Sequence, residues 1–165
     1  MSTSVIPIGN DILEIEFDFI GQRLIGRTSR GNKQAFALEP QTVSDFYHRV
    51  GHLLNGIGVS VKINEMPSEL ADPIRFSQDR THAAYDAAAA HRFWRALVQV
   101  DRVFKLFRSG FLGKASPIHF FWGSFDLAVT RFSGRTAPLH PGGVPGLPAP
   151  VTREAYSHEE SSAGF

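Results

Sequence analysis

The chain has 165 residues, 42% of them hydrophobic and 20% charged, with 17 basic against 16 acidic side chains and a formal charge of +1. These values fit one globular domain with a sizeable core. They leave none of the strong field expected of a protein that binds nucleic acid or an anionic membrane. With no cysteine, disulfides, thiolate catalysis and thiolate metal ligation are excluded.

The first residues lack a basic stretch followed by an apolar run, so no signal peptide is expected. No apolar run approaches the roughly 20 residues that span a bilayer. A cytoplasmic, bacterial location is the expectation.

Asp11 to Ile20 alternates with period two. Leu13, Ile15, Phe17 and Phe19 share one face and Glu14, Glu16 and Asp18 the other, as in a half-buried antiparallel strand. Gly21-Gln22 reads as a two-residue type II′ turn. Arg23 to Thr28 then returns, with Phe19 opposite Leu24, Phe17 opposite Gly26 and Glu16 opposite Arg27. A three-residue loop, Arg30-Gly31-Asn32, leads into a strand over 33–38. It sets Phe36 opposite Gly26, where the ring fills the space the glycine leaves.

Thr42 followed by Asp45 signals a helix start. Val43, Phe46, Tyr47, Val50, Leu53, Leu54 and Ile57 recur at three- and four-residue steps, one apolar helical stripe that Gly56 and Gly58 stop. Val59 to Ile63 reads as a short strand. Asn64 to Tyr85 has little pattern, and a connection of that length is usually functional or mobile. Asp86 caps the longest predicted helix, which runs to about Ser109. Phe93, Leu97, Val100, Phe104 and Phe107 form its buried stripe, and Arg92, Arg95, Gln99 and Arg102 its solvated side.

Residues 116–134, SPIHFFWGSFDLAVTRFSG, form the most sharply patterned stretch. Gly123-Ser124 fits a type II′ turn. The turn sets His119 opposite Ala128, Phe120 opposite Leu127 and Phe121 opposite Asp126. One face then carries Ile118, Phe120, Trp122, Phe125, Leu127 and Val129. The other carries His119, Phe121, Asp126, Ala128 and Thr130. Beyond residue 135 the composition turns rich in Pro and Gly, which predicts an extended loop and a polar tail. The expected organisation is an α+β domain over 1–135 followed by a loop and tail over 136–165. Its antiparallel or mixed sheet has about six strands, with two amphipathic helices packed on one face.

Phosphate-binding and dinucleotide glycine motifs, zinc-helix His pairs and nucleophile elbows are missing. The candidate chemistry therefore rests on small groups of polar residues. His119 and Asp126 lie diagonally on the mixed face. They fit either a base with its orienting carboxylate, as in a hydrolase-like or metal-dependent enzyme, or a structural hydrogen bond. His140, His158 and Glu159, with His119 or Asp126, have the nitrogen and oxygen donors of a metal site, but their spacing matches no ligand pattern, so no metal or other cofactor is assigned. Asp79, His82 and Tyr85 lie in the long connection and are candidates to line a ligand pocket. Arg131 and Arg135 could hold a carboxylate or phosphate group, or could be surface arginines with solvated heads. Trp94 borders the helical stripe and reads as core packing.

Several segments together resemble an uncharacterised bacterial family of unknown function. They are HFFWGSFDLAVTRFSGR at 119–135, HPGG at 140–143, REAYSHE at 153–159, EIEFDFI at 14–20, DPIRFSQDRTHAAYD at 72–86 and FWRALVQVDRVFK at 93–105. The resemblance runs over nearly the whole chain and implies no activity. Family members look longer at both ends, so the chain corresponds to the central part of the family, and the mixed face of the hairpin is expected to lie uncovered and to drive self-association. The leading functional expectation is a domain that binds a small molecule or a partner protein through His119, Asp126, Asp79, His82, Tyr85, Arg131, His158 and Glu159. The alternatives are the His119–Asp126 enzyme and a purely structural interaction domain.

Overall fold

A computed structural model describes residues 1–67, 70, 72–121, 125–143 and 148–165. Its chain divides into two units, Met1–Trp94 and Arg95–Phe165. The class is α+β, as expected, but the strands form two antiparallel sheets, one of four strands and one of three, rather than a single sheet.

In the first unit β1 (Ile6–Ile8), β2 (Asp11–Asp18), β3 (Arg23–Thr28) and β4 (Lys33–Ala37) pair in sequence order. β1 was not anticipated. It joins β2 through Gly9-Asn10, with Ile8 opposite Asp11 and Gly9 at φ +60°, the left-handed first position of a type II′ hairpin turn. Pro7, which cannot donate to a ladder, is tolerated because β1 is an edge strand.

The β2–β3 register departs from expectation by two residues. Phe17 pairs with Leu24, Ile15 with Gly26 and Asp18 with Arg23. The reason is local. The Asp18 carboxylate accepts the N–H groups of Ile20 (3.1 Å) and Gly21 (2.8 Å) and ion-pairs with Arg23 at 3.3 Å. Residues 19–22 thus form a four-residue loop, with Gln22 at φ +52°. A slip of two preserves the faces, so Leu13 is still buried while Glu14 and Glu16 both reach Arg27.

The next loop does have three residues, but they are Ser29 to Gly31. The Thr28 N–H donates to the Asn32 carbonyl at 2.9 Å and Gly31 takes φ +89°. Phe36 therefore pairs with Leu24, and Gly26 with Gln34. The space over Gly26 is filled by Leu53 and Ile57 from the helix, not by Phe36.

That helix, α1 (Val43–Gly56), begins where the sequence places it, with the Thr42 hydroxyl accepting the Asp45 N–H at 3.0 Å. It ends at Gly56, with Ile57 as its cap and Gly58 just beyond in the left-handed conformation at φ +81°. Leu53, Leu54 and Ile57 from the helix region join Leu13, Leu24, Leu38 and Val59 in the core of this unit. Phe17, Phe36 and Phe46 pack beside them, with Phe36 and Phe46 edge to face at 5.7 Å. Residues 59–63 do not form the expected strand. The Val59 N–H bonds back to the Leu54 carbonyl at 2.9 Å, and Val61 and Ile63 line a groove with residues of α1. A short apolar run has the same pattern in either role.

α2 (Ala87–Ser109) crosses the boundary between the units and starts at Asp86, whose carboxylate accepts the Ala89 N–H at 2.9 Å. Leu97 and Phe104 are its buried residues, as the stripe predicted.

In the second unit β5 (His119–Phe121), β6 (Asp126–Thr136) and β7 (His158–Gly164) form a sheet with β6 in the centre. The predicted β5–β6 register holds at His119–Ala128, Phe120–Leu127 and Phe121–Asp126. Upstream, Ala115 bridges Arg131. Four steps on one strand there oppose three on the other, a bulge at the segment holding Pro117. Leu127 and Val129 are buried, but Phe125, expected on the same apolar face, is 58% exposed and takes φ +60°. The Gly123-Ser124 turn and the placement of Trp122 lie outside the described residues, as does the 144–147 part of the Pro/Gly-rich loop. The tail is more ordered than its composition suggested. α3 (Ala149–Ala155) follows Pro148, and β7 then pairs with β6.

Candidate functional site

The β5–β6–β7 register decides which side chains share a surface. His119 and Phe121 on β5, Asp126, Ala128 and Thr130 on β6, and Ser162 on β7 lie on one face, because paired residues in an antiparallel sheet point the same way. His119 is exposed and Phe121 is half exposed, with their rings edge to face at 4.8 Å. Asp126 sits opposite Phe121 and diagonal to His119. Farther along, the hydroxyls of Thr130 and Ser162 bond across the strands at 2.9 Å. Imidazole, carboxylate and hydroxyls thus share an open surface with one aromatic ring.

The opposite face of β6 is structural. Val129 is fully buried. Arg131 lays its guanidinium over the Phe107 ring of α2 at 3.6 Å, with Phe111 at 5.6 Å. Its Nε is buried without a hydrogen-bond partner, so stacking on the ring is what holds this cation. Arg135 ion-pairs with Glu159 at 2.7 Å.

The other sequence candidates of this unit lie elsewhere. His158 pairs with Thr136, eight positions along β6 from the Ala128 partner of His119. A register shift in β6 lets six residues of β7 cover that stretch, so at about 3.3 Å per residue the separation is roughly 20 Å. The Nδ1–H of His158 donates to Ser157 Oγ at 2.9 Å, because the Ser157 hydroxyl proton is already given to the Glu154 carbonyl at 2.6 Å. His140 stacks on Tyr156 at 4.4 Å, and its Nδ1 accepts the Gly142 N–H at 3.0 Å. Of the donors considered for a metal, His158 and Glu159 therefore lie at the far end of the sheet from His119 and Asp126. Among the described residues, no three His, Asp or Glu side chains cluster to hold an ion.

Asp79, His82 and Tyr85 belong to the first unit, where each has a defined partner. Asp79 is buried and accepts from the N–H groups of Thr81 and His82, both at 3.1 Å, and from His82 Nδ1 at 2.8 Å. The His82 backbone N–H, outweighing the cost of burial, holds the Asp79 carboxyl below its ordinary range, and the His82 ring and the Thr81 N–H add to this. The loop so fixed turns two carbonyls onto the start of α1. His82 O accepts from Val43 and Asp79 O from Ser44, at 3.0 and 2.9 Å. These are two of the N–H groups that every helix leaves without an internal partner. Tyr85 instead donates its hydroxyl to Gln22 at 2.7 Å, and burial raises its pKa above the ordinary value.

A groove that the sequence reading did not anticipate lies beside α1. Tyr47, His48, His52 and Asn55 line one side and Val59, Val61 and Ile63 the other. The signal was present in the two histidines four residues apart on a strongly predicted helix.

No helix among the described residues is long and apolar enough to cross a membrane. No curated protein matches the chain, and no solved structure does. One family model covers residues 1–165. The chain belongs to a family of unknown function, DUF5996.

Proposed function

We propose that the chain is a cytoplasmic, bacterial binding domain that takes a small molecule or a partner protein on the mixed face of the second sheet, centred on His119, Phe121 and Asp126. The observation that carries this reading is the exposed ring pair His119–Phe121 on the same face as Asp126 and the Thr130–Ser162 hydroxyl pair. Binding surfaces combine an aromatic anchor with a few polar groups that fix orientation. A second copy of the chain is one partner such a face would accept, whereas nucleic acid is disfavoured by the near-neutral charge.

A fragment and peptide screen read by amide NMR tests the reading. Ligand-induced shifts should map to residues 119–130 and 160–164 and disappear in Phe121→Ser and His119→Ala. Ligands that map elsewhere, or that bind both variants as they bind the parent chain, would refute the assignment. Self-association through the same face should appear in sedimentation at high concentration and weaken in Phe121→Ser. A monodisperse monomer would remove the second copy as the partner.

A further inference from the structure

We propose that His48 and His52 form a two-imidazole chelate for a borderline divalent transition ion, of the Cu²⁺, Ni²⁺ or Zn²⁺ class, at the groove beside α1. Residues four apart on a helix lie one above the other on the same side, and both histidines line this cavity of about 210 Å³.

The protonation of His48 follows from its partner. Its Nδ1 lies 2.7 Å from the Ser44 carbonyl, which can only accept, so Nδ1 carries the proton and Nε2 keeps its lone pair. A ring N–H donated to a backbone carbonyl is the usual outer partner of a metal-ligating histidine.

That carbonyl is itself held firmly. Ser44 is fully buried, its hydroxyl donates to the Ser77 carbonyl at 2.7 Å and its N–H to the Asp79 carbonyl at 2.9 Å. The Tyr47 ring meets the His48 ring edge-on at 5.6 Å, and the Tyr47 hydroxyl is bonded to Glu65. Among the described residues the His52 imidazole makes no hydrogen bond, so its donor atoms are uncommitted.

The donor set decides the class of ion. Two neutral imidazoles suit Cu²⁺, Ni²⁺ and Zn²⁺, whereas Mg²⁺ and Ca²⁺ need oxygen ligands. Among the described residues no third His, Asp or Glu converges on the pair, which leaves the remaining coordination positions to water or a small exogenous ligand. An ion held by two protein ligands is exchangeable, unlike one in a closed four-ligand structural centre.

Chelator-stripped full-length chain, titrated with Zn²⁺ and observed through its imidazole nitrogens, tests the proposal. Before metal, His48 should show the Nδ1–H tautomer, and the ring signals of His48 and His52 should then shift together to a 1:1 endpoint. In parallel calorimetry with Ni²⁺ and Cu²⁺, binding should follow Cu²⁺ > Ni²⁺. His48→Gln or His52→Gln should each weaken affinity about tenfold or more. Both side chains are exposed, and circular dichroism checks that the variants fold. Undiminished binding by the double variant would assign the metal to the other five histidines and overturn the proposal. A single variant that binds like the parent would overturn the chelate.

Discussion

Adding one methyl group at Gly26 tests how the first unit is packed. Gly26 is buried on β3 between Ile15 and Gln34. An alanine Cβ there would overlap the Leu53 side chain and come within 3.3 Å of Ile57 Cδ1. Leu53 is 3% and Ile57 2% exposed, so neither has solvent to move into. Overpacking of this kind costs about 1–3 kcal/mol, and the lower chain entropy of unfolded alanine returns about 0.4–1 kcal/mol. Gly26→Ala should therefore destabilise by roughly 1–2 kcal/mol. Leu53→Ala alone should cost about 2–5 kcal/mol through the cavity it opens. In the double variant the new methyl projects into that cavity, so the combined loss should fall short of the sum by about 1 kcal/mol or more. Urea denaturation of the four proteins, followed by far-UV circular dichroism, measures the cycle. A Gly26→Ala variant as stable as the parent, or a cycle additive within about 0.5 kcal/mol, would refute the packing of Leu53 over Gly26.

Two further outcomes follow from the start of α1. Thr42→Ala removes the acceptor of the Asp45 N–H and should lower stability by about 1 kcal/mol in thermal denaturation, with Thr42→Ser close to neutral. The Asp79 carboxyl titrates below its ordinary range because it accepts N–H groups from His82 and Thr81 and ion-pairs with His82. A depressed folded-state pKa stabilises fully above the unfolded value of about 4 and ceases to do so as pH falls through the folded value. Stability should therefore decline in acid, and Asp79→Asn should both destabilise at neutral pH and flatten that decline. An unchanged acid profile in urea midpoints taken from pH 2 to 6 would contradict the bonding assigned to Asp79.

Periodicity made the elements legible. The stripes of α1 and α2, the Thr42 and Asp86 caps and the alternation of β2 all report local geometry, and all appear in the fold. Register was less accessible, because a turn can be written in more than one way. The Asp18 carboxylate takes up two backbone donors and lengthens the β2–β3 loop, and no count of residues between strands foretells that. β1 and β7 escaped notice for different reasons. β1 is three residues long and contains proline, while β7 is a polar edge strand recognisable only through its ladder with β6.

The candidate site shows the same division. The spacing around residues 119–128 was enough to put His119 and Asp126 on one face, and the pairing agrees. Whether His158 could join them depended on where β7 entered the sheet, and it enters with His158 at the Thr136 end of β6. Asp79 and His82 looked like loop chemistry, yet their carbonyls complete the first turn of α1, a partnership between residues more than thirty positions apart.

The sequence by itself determined α1 and α2, their apolar stripes and their caps, and the strands of β2 to β6, because these follow from interactions over a few residues. Only the tertiary structure decided which strands share a sheet, that Leu53 and not Phe36 covers Gly26, and that Arg131 is held by an aromatic ring. Each of these is a choice among distant partners of similar chemistry, and it is settled by simultaneous packing that a linear pattern does not encode.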